Sequence, residues 1–226
     1  MIMRSLETSA GQHRRRASGF SLIEMMMVVA LTIVISVMSV MSLTPMVNGQ
    51  RMTNAYNSTL SALRQARDNA VSQRTSYSVT FQNTTTPNTI TIAWAPPSGV
   101  TQLPNGQVPT NVVYQLPTGV TFAMPPTGTS PAPDSFGSGA NAIDFGYTSN
   151  GNTGGTTATT VYFCPDGSSQ IANTCLGAGL WDSGVIYLGR TVDNSSYKAV
   201  SLWGATGRIH GWRIYSRTGG YSWLRQ

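Results

Sequence analysis

Cysteine, histidine and charge are all scarce in this chain. Two cysteines are too few for a disulfide-dense scaffold or a four-thiolate zinc site, and two histidines exclude a His-rich metal cage. Charged residues are 10% of the 226 residues, against about 25% in an ordinary soluble domain. No G-x-S-x-G elbow, phosphate-binding loop, H-E-x-x-H or dinucleotide glycine pattern occurs. His210, the histidine outside the first 19 residues, has no carboxylate near it in sequence. The expectation is a non-enzyme: no catalytic residue, no cofactor and no metal. Glycine (23) and proline (12) mark a turn-rich chain, too sparing of both for collagen or disorder.

The charges that exist are segregated. Residues 75–189 contain no Lys or Arg, only Asp134, Asp144, Asp166 and Asp182. Residues 1–19 carry Arg4, Arg14, Arg15 and Arg16 against Glu7, and residues 190–226 carry Arg190, Lys198, Arg208, Arg213, Arg217 and Arg225 against Asp193. The two basic ends call for separate explanations.

The first is a membrane signal. From Ala17 to Gln50 the one charged residue is Glu24, and Phe20–Met46 is long enough to cross a bilayer, which takes about 20 apolar residues. The arginines before it place residues 1–19 in the cytoplasm and the rest outside. A cleavable secretory signal has a shorter core and a small-residue site after it, which Val40–Asn48 lacks. A plain anchor leaves Glu24 unexplained, because an ionisable group in lipid is costly and usually functional.

Gly19-Phe20-Ser21-Leu22-Ile23-Glu24, behind a short basic leader and ahead of an apolar helix, resembles the class III signal of type IV pilins and pseudopilins. The resemblance implies cleavage after Gly19 by a prepilin peptidase and N-methylation of Phe20. It also implies that Glu24 pairs with the N-terminal amine of a neighbouring pilin subunit, which compensates a carboxylate that is expensive alone in lipid. One departure is visible: Met41 stands where pilin helices often carry proline, and Pro45 lies one turn later, so a kink is expected there.

Beyond Gln50 the pattern stays helical. Tyr56, Leu60, Leu63, Ala66 and Ala70 form a 3–4 stripe that should pack on a globular domain. Arg64, Arg67 and Arg74 lie on an adjacent face, with Asp68 at i+4 from Arg64; a solvated face and a subunit or nucleic-acid contact are both open readings. From Thr75 the chain reads as β structure. Strands are expected at 77–81, 89–94, 112–116, 120–124, 142–147, 159–164, 184–188, 199–203 and 211–215, with irregular loop over much of 95–139 and a flexible polar loop at 149–160. The expected organisation is a leader (1–19), a long helix (20–74, of which 20–46 is transmembrane or filament core) and a β-rich globular domain (75–226). The fold class is α+β, a long N-terminal helix packed on an antiparallel sheet domain.

With that domain outside the cytoplasm, Cys164 and Cys175 are expected as a disulfide, stabilising by about 3 kcal/mol through loop closure; a redox pair lacks C-x-x-C spacing. Phe163-Cys164-Pro165-Asp166-Gly167, two following strands and Gly207-Arg208 resemble the pseudopilin H and FimT-like branch. In the basic tail, arginines alternate with aromatics. Arg208, His210, Arg213 and Arg217 are candidate DNA contacts, because arginine grips phosphate and rings stack on bases. FimT-like pilins carry Gly-Arg-x-Arg here; this chain has His210 at the second Arg, with Arg213 and Arg217 as substitutes. The competing reading is a last strand and an exposed tail whose arginines balance the acidic middle. The resemblance implies an inner-membrane subunit with a periplasmic C-terminal domain that enters a filament. It is then a minor type IV pilin that primes or caps a pilus, a DNA receptor for uptake, or a pseudopilin of type II secretion.

Overall fold

The computed structural model describes residues 19–137, 141–148, 151–156, 158–175, 181–190 and 193–226. The leader expected at 1–19, with Arg14–Arg16 and His13, falls outside them except for Gly19. The chain divides into two compact units, Met1–Thr44 and Pro45–Gln226. One helix, α1 (Leu22–Gln73), contributes to both, and Pro45, which has no N–H to give the helical ladder, is the first residue of the second unit.

In the first unit α1 is long and apolar enough to cross a membrane. Leu22, Ile23, Met26, Leu31 and Ile35 are all more than half exposed. Its hydroxyls turn inward on the helix: Thr32 donates to the Val29 carbonyl (2.8 Å), Ser36 to Thr32 (2.7 Å) and Ser39 to Ile35 (2.9 Å). That back-bonding satisfies polar groups that would otherwise be stranded in an apolar medium.

In the second unit the stripe on α1 is the centre of the core. Met52, Ala55, Tyr56, Leu60, Leu63, Ala66 and Ala70 are buried. They pack against two antiparallel sheets, whose strands in chain order are β1 (Tyr77–Gln82), β2 (Thr89–Trp94), β3 (Val112–Gln115), β4 (Thr121–Phe122), β5 (Ile143–Thr148) and β6 (Gly151–Thr156). There follow β7 (Thr160–Phe163), β8 (Ser169–Gln170), β9 (Asp182–Arg190), β10 (Asp193–Trp203), β11 (Arg208–Arg217) and β12 (Gly220–Arg225). The first sheet runs β3-β2-β1-β7-β8; the second runs β12-β11-β10-β9-β5-β6, with β4 beside β9. Alternate residues of both sheets, Val79, Phe81, Ile90, Ile92, Val161, Phe163, Ile186, Leu188, Val200 and Leu202, join the α1 stripe in one cluster. A second cluster, with Val185, Tyr187, Ala199, Ile214 and Trp223, lies on the opposite face of the second sheet.

The architecture is the expected α+β one, with two local corrections. Within the stretch expected to be a flexible loop, residues 151–156 form β6, paired with β5; six small polar residues carry no apolar alternation to announce a strand, and pairing with β5 supplies the order. The C-terminus is not a lone strand and exposed tail but a hairpin: β11 spans ten residues and pairs along its length with β12, which has Trp223 buried. The Thr218-Gly219 turn, with Gly219 at φ +91°, provides the left-handed conformation such a reversal needs. Cys164 and Cys175 are disulfide-bonded with Cα atoms 5.4 Å apart, closing the loop that contains β8.

Helix and sheet approach closely at glycine. A Cβ on Gly211 would overlap the Tyr56 hydroxyl, whereas Gly49, in the exposed part of α1, has open space around it. In the full chain in detergent, Gly211→Ala should destabilise the second unit by about 1–3 kcal/mol through overpacking. Gly49→Ala should stabilise it by about 0.5–1 kcal/mol through helix propensity. Denaturant midpoints followed by tryptophan fluorescence measure both.

Candidate functional site

Gly19 and Phe20 lie just before the first turn of α1; Phe20 is 75% exposed. Glu24 is in that first turn. Its carboxylate receives no hydrogen bond or ion pair among the described residues, in contrast with the self-satisfied hydroxyls further along. Among the described residues, then, the acid beside this exposed Phe20 has none of the partners that an apolar medium would require.

The second candidate region lies where the middle of α1 meets the start of β11. Arg64, Arg67 and Asp68 from the helix and Gly207, Arg208, Ile209 and His210 from the strand line a cleft of about 370 Å³. Arg64 and Arg67 share the cleft with Arg208, whereas Arg74 lines a different hollow with Pro165 and Cys175. The join is made by small residues. Arg67 Nη2 donates to the Thr206 carbonyl at 3.1 Å. Gly207, at φ +58°, sits so tightly against the Gly167 carbonyl oxygen and the Arg67 side chain that a Cβ would clash with both. The Pro165-Asp166-Gly167 turn is shaped locally: Asp166 Oδ1 accepts from the Ser168 N–H (2.9 Å) and hydroxyl (2.7 Å). The two short elements that carried the resemblance, Phe163–Gly167 and Gly207-Arg208, therefore meet at Arg67.

Behind the cleft is a polar chain that sequence reading missed. His210 Nδ1 is 2.7 Å from Asp134 Oδ2, and each side chain is 11% exposed. The same oxygen accepts from Ser201 Oγ at 2.5 Å, and Trp212 Nε1 donates to Ser201 Oγ at 2.9 Å. Asp134 sits at φ +51° in the short turn Pro133–Ser135, a left-handed conformation that aspartate tolerates better than most residues. Burial by itself raises the Asp134 carboxyl. Hydrogen bonds from Ser201, His210 and Trp203, together with the His210 charge, outweigh burial and hold it below the ordinary aspartate value. A second hollow of about 290 Å³, lined by Asp134, Trp203, Thr206, Arg208, His210 and Arg225, flanks the first.

The four tail candidates do not form one patch. Along β11 successive side chains alternate faces. Arg208 and His210 share a face with Trp212 and Ile214, which pack in the outer cluster. Arg213 and Arg217 project on the face of Ile209 and Gly211, the one that α1 covers at Tyr56. Arg213 pairs in register with Lys198, whose ammonium lies 4.6 Å above the Tyr56 ring; burial first, and then the Arg213 charge, push that ammonium below its ordinary value. Arg213 and Arg217 thus lie on the other face of the strand from Arg208; the arginines that share a hollow with Arg208 are Arg64 and Arg67 from the helix and Arg225 from β12. The acidic middle does not neutralise the tail arginines either. Asp182 Oδ2 accepts from the Ile171 N–H, Asp166 caps its own turn, and no carboxylate is within ion-pair distance of Arg208, Arg213 or Arg217 among the described residues. Among those residues no cluster of three His, Cys, Asp or Glu is placed to hold a metal ion.

A family model described as type II transport protein GspH matches residues 55–179, more than half of the chain, from the buried α1 stripe to just beyond Cys175. No curated protein and no solved structure matches the chain.

Because the folded-state value of Asp134 is lowered, its contribution to stability is fully present above the unfolded value of about 3.9. It is lost as pH falls through the lower folded value. Urea midpoints measured from pH 6 to pH 3 should fall more steeply for the wild type than for Asp134→Asn over the acid end of that range.

Proposed function

We propose that this chain, which belongs to the GspH family, is a structural subunit of a pilin-like filament rooted in the inner membrane. Residues 1–19 are its leader, Phe20 its methylated mature N-terminus, and Phe20–Met46 its membrane span and later its contribution to the filament core. The globular second unit is periplasmic in this reading. The observation that carries it is Glu24, without a partner among the described residues, in the first turn of an exposed apolar helix just after Gly19-Phe20. A neighbouring subunit's N-terminal amine is the counter-charge that such a carboxylate lacks. The family's description favours a structural part of the pseudopilus of a type II secretion system over a minor type IV pilin that primes or caps a pilus. The chain recovered from its native membrane should begin at Phe20 with one added methyl group by intact-mass analysis, and Glu24→Ala should insert in the membrane yet fail to enter filaments. An intact Met1 would overturn the reading.

A second reading is favoured by the cleft. Arg64, Arg67 and Arg208 line it against a single acid, Asp68, and among the described residues no acid pairs with Arg208, an excess of arginine suited to phosphate. In this reading the subunit also contacts DNA without regard to sequence. The full chain in neutral detergent should retard DNA at low salt, and Arg208→Ala should weaken binding by about tenfold and shrink its salt dependence. No retardation by the wild type at low salt would remove this second function and leave the first intact.

A further inference from the structure

Three contacts fix how β11 runs beside α1 within the second unit. Gly207 lies against Arg67 and Gly211 against Tyr56. Lys198, opposite Arg213 in register, brings its Nζ within 3.5 Å of Thr53 Oγ1. The strand therefore runs back along the helix towards Pro45, the first residue of the unit. Thr53 stands about 12 Å of helix from Pro45, and Arg217 lies about 13 Å of strand beyond Arg213 in the same direction. The turn between β11 and β12 thus comes to about the level of Pro45.

The exposed charges of this end are of one sign. Arg213, Tyr215 and Arg217 are exposed and share one face of β11; Leu224, opposite Arg213, is exposed beside them, and Arg51 is exposed on α1. Lys198 and Arg213 stand directly opposite each other, which costs a sheet stability. Lys198 is met by the Thr53 hydroxyl and the Tyr56 ring, and among the described residues no carboxylate is in ion-pair reach of Arg213 or Arg217. The backbone register sets one aspartate at this end, Asp193, opposite Arg190. The others belong elsewhere. Asp68 lines the cleft with Arg208, Asp134 is bound to His210, and Asp144 is opposite Val185 in mid-sheet. Asp166 caps the turn that meets Gly207, and the Asp182 backbone lies against Gly204.

Cations with a tyrosine and a leucine among them suit the headgroup layer of a bilayer: phosphates meet the cations, and the ring and the leucine sit where the acyl chains begin. The apolar segment is joined in sequence to this end of the unit, so a bilayer that holds the segment lies within reach of the face. We propose that the exposed face of Arg213, Tyr215 and Arg217, at the Pro45 end of the second sheet, docks on anionic phospholipid headgroups. The inference rests on the reading of Phe20–Met46 as a membrane span. In the membrane-held subunit the globular unit then rests on the bilayer by this face, and more firmly the more anionic the lipid.

The test uses the full chain reconstituted into vesicles of phosphatidylcholine alone, or of phosphatidylcholine with about one third phosphatidylglycerol. Each vesicle carries a quencher on a fraction of its headgroups. A fluorophore is placed on the β11–β12 turn through Thr218→Cys; Cys164 and Cys175 are joined to each other and do not take it. Quenching should be at least about twofold stronger in the anionic vesicles. Salt at about 1 M, where charges are screened beyond about 3 Å, should bring it down to the neutral level. Arg213→Gln combined with Arg217→Gln should do the same at low salt. Equal quenching in the two vesicles, or quenching that salt leaves unmoved, overturns the inference; a chain that still floats with both vesicles then keeps the span reading. A chain that floats with neither removes the span reading and this inference with it. If the double variant does not fold, the salt series on the chain with native arginines decides. Equal quenching together with a double variant that fails to enter filaments assigns the face to a neighbouring subunit and overturns the lipid.

Discussion

The second unit depends on one helical stripe shared by two sheets. The sheets are separate ladders, one ending at β8 and the other at β6, and their facing residues meet in a common core through Leu60, Leu63, Ala66 and Ala70 of α1. Half of that stripe is alanine, which lets strands approach the helix axis closely, and glycines 207 and 211 extend the same close approach into β11. A large side chain at any of these contacts would lift the sheet from the helix, because packed interiors have no spare volume to absorb it. The cleft follows from this. Arg67 reaches the Thr206 carbonyl only because the Gly207 backbone comes to the helix surface.

That packing also explains what could be read from the sequence and what could not. The α1 stripe, the alternating strands at 77–82 and 89–94 and the cysteine pair were legible, because each is announced by residues a few positions apart. β6 was not: Gly151-Asn152-Thr153-Gly154-Gly155-Thr156 has no apolar period, and its order comes from pairing with β5. β12 was obscured by its glycine-rich start, although Tyr221 and Trp223 do alternate. The Asp134–His210 pair joins residues 76 positions apart, and nothing local marks it. One signal was available: Asp134 is the sole charged residue between 95 and 139, and a lone acid in an uncharged segment needs a partner somewhere. The separation of Arg208 from Arg213 was legible in principle too, since an odd spacing in a strand puts two side chains on opposite faces.

The electrostatics of the second unit are therefore arranged by face rather than by segment. Aspartates of the uncharged-looking middle are used as local caps (Asp166 for Ser168, Asp182 for Ile171) or as the anchor of a polar chain, as Asp134 is for Ser201 and His210. Among the described residues they form no ion pair with the arginines of α1 and β11. Arg64, Arg67 and Arg208 line one cleft with Asp68 as the single acid among its walls, and an excess of one sign of charge in a cleft with low-dielectric walls makes a field that concentrates anions.

The hydroxyls of Thr32, Ser36 and Ser39, each folded back onto its own helix, have a bearing on energetics of transfer. A rod whose polar groups are already paired internally is indifferent to whether fatty acyl chains or sister rods surround it. In the proposed filament reading, exchanging one oily environment for the other leaves those three hydrogen bonds unchanged, so close side-chain fit and the acid at the tip would set the direction of the exchange.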